Sequence, residues 1–145
     1  YLTKPESSFK ISEIGEWTYQ LLDISNNQVI EKYDTTTLAI YLTQFKNINY
    51  EGYTQRLKTD DIDSILLSMP FLTMECNDKQ GNNTSIKAFL KKLDVPRQGI
   101  EGNLITHDLD RMYAEINGSG DLVTIQYFVF DKLLLELSDF LPKPI

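Results

Sequence analysis

The sequence predicts an α+β fold, with a mostly antiparallel sheet and about three helices packed on it. Three observations lead to this prediction. Apolar and polar residues alternate in several short segments, which is typical of strands with one buried face. Three other segments space their apolar residues as an amphipathic helix does. Short stretches of Asn, Asp and Gly separate several neighbouring strands, and such connections favour antiparallel pairing.

The N-terminal part is predicted to begin with two short strands, whose alternating apolar positions are Phe9, Ile11, Trp17, Tyr19 and Leu21. Asp34 is a good N-cap for a helix over residues 35–46. An aromatic-rich strand is predicted at residues 48–53. A second, short helix follows Asp60 and Asp61, whose charges favour the positive end of a helix dipole, and Pro70 ends it.

The C-terminal part contains the clearest hairpin, with strands at residues 71–77 and 84–92 joined by a polar turn. Residues 93–108 are predicted to form a long loop, since Pro and Gly punctuate them, and loops of that length are usually functional or mobile. Two further strands, at residues 112–117 and 122–127, precede a final helix over residues 129–140. Trp17, Tyr41 and Tyr113 are expected in the core.

Composition and charge exclude several classes of function. The chain has 145 residues and a net charge of −7, and an acidic surface argues against nucleic-acid binding. One cysteine excludes an internal disulfide, and one histidine excludes most zinc sites. No apolar run is long enough to cross a bilayer. We expect residues 1–8 to be a linker or frayed terminus and residues 9–145 to be a single α+β domain. Because the sequence begins at Tyr1, we also expect an excised or processed chain, and a linker at residues 1–8 would suit a tether to something upstream, such as a lipid anchor in the membrane or another domain.

Few residues are candidates for chemistry, and we predict no catalytic residue and no cofactor. His107, Asp108 and Asp110 form the only sequence cluster of metal-ligand types, but such a group is more commonly a solvated turn. We therefore predict no metal site and keep these three as weak candidates. Tyr50 and Tyr53 flank Glu51 and Gly52 beside a polar stretch, which makes them the best candidates for an aromatic binding surface.

Several stretches resemble a known family. They are residues 34–52, where an acidic cap and an apolar helix lead into INYEGY, then DSILLSMPFLTMECND at residues 63–78 with the turn at residues 79–81, and DRMYAEINGSGDLVTIQYFVFDKLL at residues 110–134. The pattern is similar to an uncharacterised family of bacterial cell-envelope domains found in predicted lipoproteins and near gliding-type ABC transport components. The resemblance implies an α+β domain at the periplasmic or outer surface, and it implies no catalytic residue.

Our leading hypothesis is a non-enzymatic envelope module that binds a protein partner or holds an assembly together. The alternative is a small-ligand pocket protein of cystatin-like α+β type, in which an acidic residue in an apolar cavity serves as the base of an isomerase or hydrolase. A subunit of a transport or gliding apparatus is a third hypothesis.

Overall fold

A computed structural model of the protein describes residues 4–46, 48–54 and 57–142. Within these ranges, eight strands form two antiparallel sheets and three segments are α-helical, which confirms the predicted α+β fold with mostly antiparallel pairing. The chain divides into two compact units, one built from residues 4–48 and 131–142 and the other from residues 49–130. Each unit is described by itself.

The first unit contains a three-stranded sheet in the order β1-β2-β3, with β1 at Phe9–Gly15, β2 at Thr18–Asp23 and β3 at Gln28–Ile30. The tight connection between β1 and β2 explains one wrong prediction. Trp17 lies in that turn rather than in a strand, at a left-handed φ of 57°, and 79% of its surface is exposed. A side chain at a turn apex cannot follow the inward alternation of the strand beside it.

The helix predicted after Asp34 is confirmed as α1, Thr35–Thr43. The Asp34 carboxylate accepts hydrogen bonds from the backbone N–H groups of Thr36 and Thr37, which satisfies two donors at the helix start. Tyr41 is buried, as predicted. The aromatic core of this unit consists of edge-to-face ring contacts at 4.8–5.7 Å among Phe9, Tyr41, Phe45 and Phe140.

The predicted final helix over residues 129–140 is wrong. A four-residue helix, α3, occupies Tyr127–Phe130 in the second unit, and two separate 3-10 turns occupy Asp131–Leu133 and Leu137–Phe140 in the first. Glu136 begins the second turn with a capping box, in which its own backbone N–H donates to Asp139 at 2.7 Å. That cap starts a new turn where a continuous helix would need helical backbone, although the apolar spacing suits a helix.

The first residues of the described chain are folded, which corrects the expectation of a frayed terminus for residues 4–8. Pro5–Ser7 forms a 3-10 turn, and the buried Ser7 donates its hydroxyl to Glu136 at 2.9 Å. Lys4 adds an ion pair to the same carboxylate at 3.2 Å. Both partners lower the pKa of Glu136, the Ser7 hydrogen bond most strongly. Contacts so distant in sequence leave no local signal in residues 4–8.

The second unit contains a five-stranded sheet in the order β4-β8-β7-β6-β5. Its strands are β4 at Gly52–Tyr53, β5 at Leu72–Asn77, β6 at Asn83–Gln98, β7 at Leu104–Ile116 and β8 at Leu122–Gln126. The helix α2, Thr59–Leu66, precedes β5 and confirms the predicted short helix. The apolar centre of the sheet includes Ala88, Met112, Ala114, Val123 and Ile125, each at most 4% exposed.

Candidate functional site

The long central hairpin β6–β7 extends well past its neighbours in the sheet. The outer strand β5 pairs with β6 only at residues 83–88, and β8 pairs with β7 only at residues 111–115. Among the described residues, the strand segments at 91–98 and 104–110 therefore pair only with each other. We call residues 91–110 the arm. The predicted loop at residues 93–108 is thus wrong for most of its length, because it forms a two-stranded ribbon closed by a short turn.

Two opposing irregularities explain why the arm does not look like strands in the sequence. Between the pairs Leu90–Met112 and Lys92–His107, four residues of β7 face one of β6. Between Lys92–His107 and Arg97–Ile105 the imbalance is reversed, with four residues of β6 facing Thr106. Pro96 lies in this second bulge, where a missing backbone N–H is tolerated. Each bulge interrupts the period-two pattern on which strand prediction depends.

The arm exposes apolar side chains that a compact fold would normally cover. Its exposed apolar residues are Val95 at 78%, Ile100 at the turn, Leu104 at 67% and Leu109 at 58%. The neighbouring part of the same hairpin is closely packed, with Ala88, Met112 and Ala114 at most 1% exposed. Several exposed apolar side chains within one segment such as the arm are typical of an interaction surface.

The three weak metal candidates lie in β7, not in the solvated turn considered from the sequence. His107 pairs with Lys92 across the ribbon, and its Nδ1 lies 2.9 Å from the Thr106 hydroxyl. The Asp108 carboxylate accepts hydrogen bonds from the backbone N–H groups of Asp110 and Arg111 at 2.9 and 3.1 Å. No group of three or more His, Cys, Asp or Glu side chains in the described part of the chain is arranged to hold a metal ion.

Asp108 is instead the centre of a structural cluster at the first bulge. Its second oxygen accepts a hydrogen bond from Lys91 Nζ at 2.7 Å, and both side chains are less than one-third exposed. Burial acts to raise the pKa of Asp108, but the bonds from Lys91 and the two backbone N–H groups outweigh it and lower the pKa below its ordinary value. The carboxylate therefore closes the bulge and fixes the base of the arm.

A second ion pair crosses three strands beside the first. Arg111 of β7 donates from Nε and an Nη atom to both oxygens of Glu51, at 2.7 and 2.9 Å. Gln126 of β8 donates to the same carboxylate at 3.2 Å. The backbone holds Glu51 near Arg111. The Glu51 N–H donates to the carbonyl oxygen of Thr124 in β8, and Thr124 is also the strand partner of Gly52. The Arg111 hydrogen bond is the largest cause of the lowered pKa of Glu51.

An open groove of about 420 Å³ lies next to this ion pair, where β8 ends and β7 continues into the arm. It is lined by Leu109, Asp110, Arg111, Gln126, Tyr127 and Phe128. Phe128 is 93% exposed. Sequence reasoning missed this groove because its residues come from two strand ends that only the pairing of β7 with β8 brings together. The unbroken aromatic run at Tyr127 and Phe128 was the one local signal.

The two candidate surface tyrosines, Tyr50 and Tyr53, lie together at the edge strand β4. Tyr50 is 42% exposed and Tyr53 is 62% exposed, and their rings meet edge-to-face at 5.6 Å. A hydrogen bond with Tyr50 is the largest cause of the raised pKa of Tyr53. The pair is accessible, so its role as a binding surface stays a prediction. Tyr113, expected in the core, is half-buried.

The buried carboxylate in the described part of the chain is Glu115, which is 8% exposed. One of its oxygens accepts an ion-paired hydrogen bond from Lys87 at 3.1 Å, and the other accepts the N–H of Gly120 at 3.2 Å. A carboxylate that is neutralised in this way orders the sheet end and the following turn.

Comparison with known proteins identifies no relative. No family model matches the chain, no curated protein matches its sequence, and no solved structure matches its fold. Among the described residues, no helix has both the length and the apolar character needed to cross a membrane.

Proposed function

We propose that this chain is a non-enzymatic protein-binding module, and that the arm is its binding element. The observation that carries the proposal is a two-stranded ribbon that has no flanking strand within the described ranges and exposes Val95, Ile100, Leu104 and Leu109. An isolated two-stranded hairpin is only marginally stable in water. A partner that covers these side chains would supply the apolar burial that the arm lacks on its own.

The proposal includes the cell-envelope location and the lipoprotein-type tether implied by the family resemblance. The net charge of −7 supports a protein partner over nucleic acid. Fractionation of cells that make the protein tests the location, since an envelope module must separate with the membrane or periplasmic fraction. Recovery in the cytoplasmic fraction alone would contradict that part of the proposal and leave the binding role to be judged separately.

Photo-crosslinking in the native cell tests the binding role. A photoreactive phenylalanine analogue placed at Ile100, on the arm, is expected to give a discrete protein adduct. The matched control carries the same analogue at Val29, an exposed position in β3 of the first unit. Adducts at neither position, or equal adducts at both, would overturn the proposal.

A shortened variant sharpens this test. Lys92 and His107 already pair across the ribbon, so an Asn-Gly turn can replace residues 93–106 and join them as a two-residue hairpin. We expect this variant to fold and to lose co-purification with the crosslinked protein. A folded variant that keeps the partner at full yield would show that the arm is not the binding element.

A further inference from the structure

The groove at the base of the arm is lined by both apolar and polar side chains. Leu109 and Phe128, at 58% and 93% exposure, contribute apolar surface. Asp110, Arg111 and Gln126 contribute polar groups to the same lining. A partner segment that enters the groove must therefore present both an apolar side chain and a polar or charged group that complements these polar lining residues.

The two cations near the groove are already neutralised within the protein. Arg111 forms a bidentate pair with Glu51, at 2.7 and 2.9 Å, which is the strongest geometry for this type of contact. Lys91 is held by Asp108 at 2.7 Å. Neither cation is therefore available to attract an anionic ligand.

The carboxylates around the groove outnumber these cations. Asp110 lies in the lining and is exposed, and its charge acts on Arg111. Around the groove there are therefore three carboxylates, those of Glu51, Asp108 and Asp110, against two cations, Lys91 and Arg111, and the exposed Asp110 gives the lining its excess negative charge.

We infer that this groove receives a basic segment of a partner protein, with a Lys or Arg next to Asp110 and an apolar side chain between Leu109 and Phe128. The inference rests on the proposed binding function and names the chemistry of the partner. Charge complementarity identifies the occupant as basic, because the excess negative charge would repel an acidic segment. The apolar side chains of Leu109 and Phe128 distinguish the groove from an acidic surface that attracts any cation.

Peptide titration followed by NMR tests the inference directly. The probe is a nonapeptide in which Lys alternates with Leu or Phe, and the matched probe has Glu in place of every Lys. At low salt, the Lys peptide is expected to shift the amide signals of Leu109, Asp110 and Phe128 before others, while the Glu peptide shifts none. Equal binding of both peptides, or shifts spread over the acidic surface, would overturn the inference.

Variants separate the groove from general electrostatic attraction. Asp110→Lys is expected to weaken binding of the Lys peptide about tenfold, which corresponds to about 1.4 kcal/mol. Asp121→Lys makes the same charge change at the opposite end of β8 and is expected to weaken it less than about twofold, since screening is strong beyond ~10 Å. Phe128→Ser removes an apolar side chain from the groove lining without changing the charge, and it is expected to weaken binding of the Lys peptide severalfold. Equal losses for Asp110→Lys and Asp121→Lys would overturn the inference.

The failure of this inference can be told apart from the failure of the proposed function. If the Ile100 adduct forms in cells but the Lys peptide does not bind the groove, the arm binds a partner and the basic-segment inference is wrong. If the adduct is absent, the proposed binding function of the arm is wrong. The NMR spectrum of each variant also reports whether it is folded, so a loss of binding is attributed to the groove only in a folded protein.

Discussion

The two ends of the β6–β7 hairpin have opposite surroundings although the same two strands form both. At the inner end, β5 and β8 flank the pair and Met112 and Ala114 have no exposed surface. In the arm, the ribbon has no flanking strand among the described residues and Leu104 is 67% exposed. Strand formation and burial are therefore separate properties, and an exposed ribbon can extend directly from a packed core.

Truncation of a core side chain at the inner end has the largest expected effect on stability. Met112→Ala should lower the free energy of unfolding by about 3 kcal/mol, because it removes a fully buried side chain and leaves a cavity. Leu104→Ala in the arm is the matched control and should change stability by less than about 0.5 kcal/mol. Urea unfolding measures both. Equal losses would show that the arm is packed like the core.

The bulge that joins the two ends should give an intermediate effect. Asp108→Ala removes the acceptor of two backbone N–H groups and the partner of Lys91, and it should cost about 2 kcal/mol. Asp108→Asn keeps an oxygen for the backbone N–H groups and loses only the ion pair, so it should cost about 1 kcal/mol or less. Equal unfolding free energies for the two variants would show that the backbone capping is unimportant.

The pH dependence at Asp108 should give the smallest effect. Its pKa is lower in the folded protein than in the unfolded chain, so its contribution to stability is complete above the unfolded value of about 3.9 and is lost as the pH falls below it. The difference in unfolding free energy between the unmodified protein and Asp108→Asn should therefore be larger at about pH 6 than at about pH 2.5, because the carboxylate is progressively protonated below the unfolded value. Unfolding at both pH values measures it, and a constant difference would contradict the assignment.

The sequence predicted most elements where a local cause was sufficient. The cap at Asp34 gave the start of α1, and the polar turn after β5 gave the hairpin to β6. Prediction failed where the cause was distant. Two bulges break the alternation in the arm, so its sequence predicts a loop. The apolar spacing of residues 129–140 predicts one continuous helix, although a new cap begins at Glu136.

The candidate site shows the same limit more strongly. The position of Tyr50 and Tyr53 beside Glu51, Gly52 and a polar stretch predicts that they lie at the surface, and the structure shows that both are accessible. The ion pair of Glu51 with Arg111 joins residues 60 positions apart in the sequence, so no local pattern predicts it. The groove likewise depends on the point at which β8 stops pairing with β7.

The fold class, the acidic charge and the lack of the common catalytic motifs follow from the amino-acid sequence alone, because periodicity, capping residues and composition act locally or as sums over the chain. Which apolar residues stay exposed and which charges are neutralised depends on tertiary contacts. Both properties depend on strand register, since a bulge or the end of a neighbouring strand changes what each side chain meets. At the base of the arm, register pairs Arg111 with Gln126 across the strands and leaves Leu109 exposed.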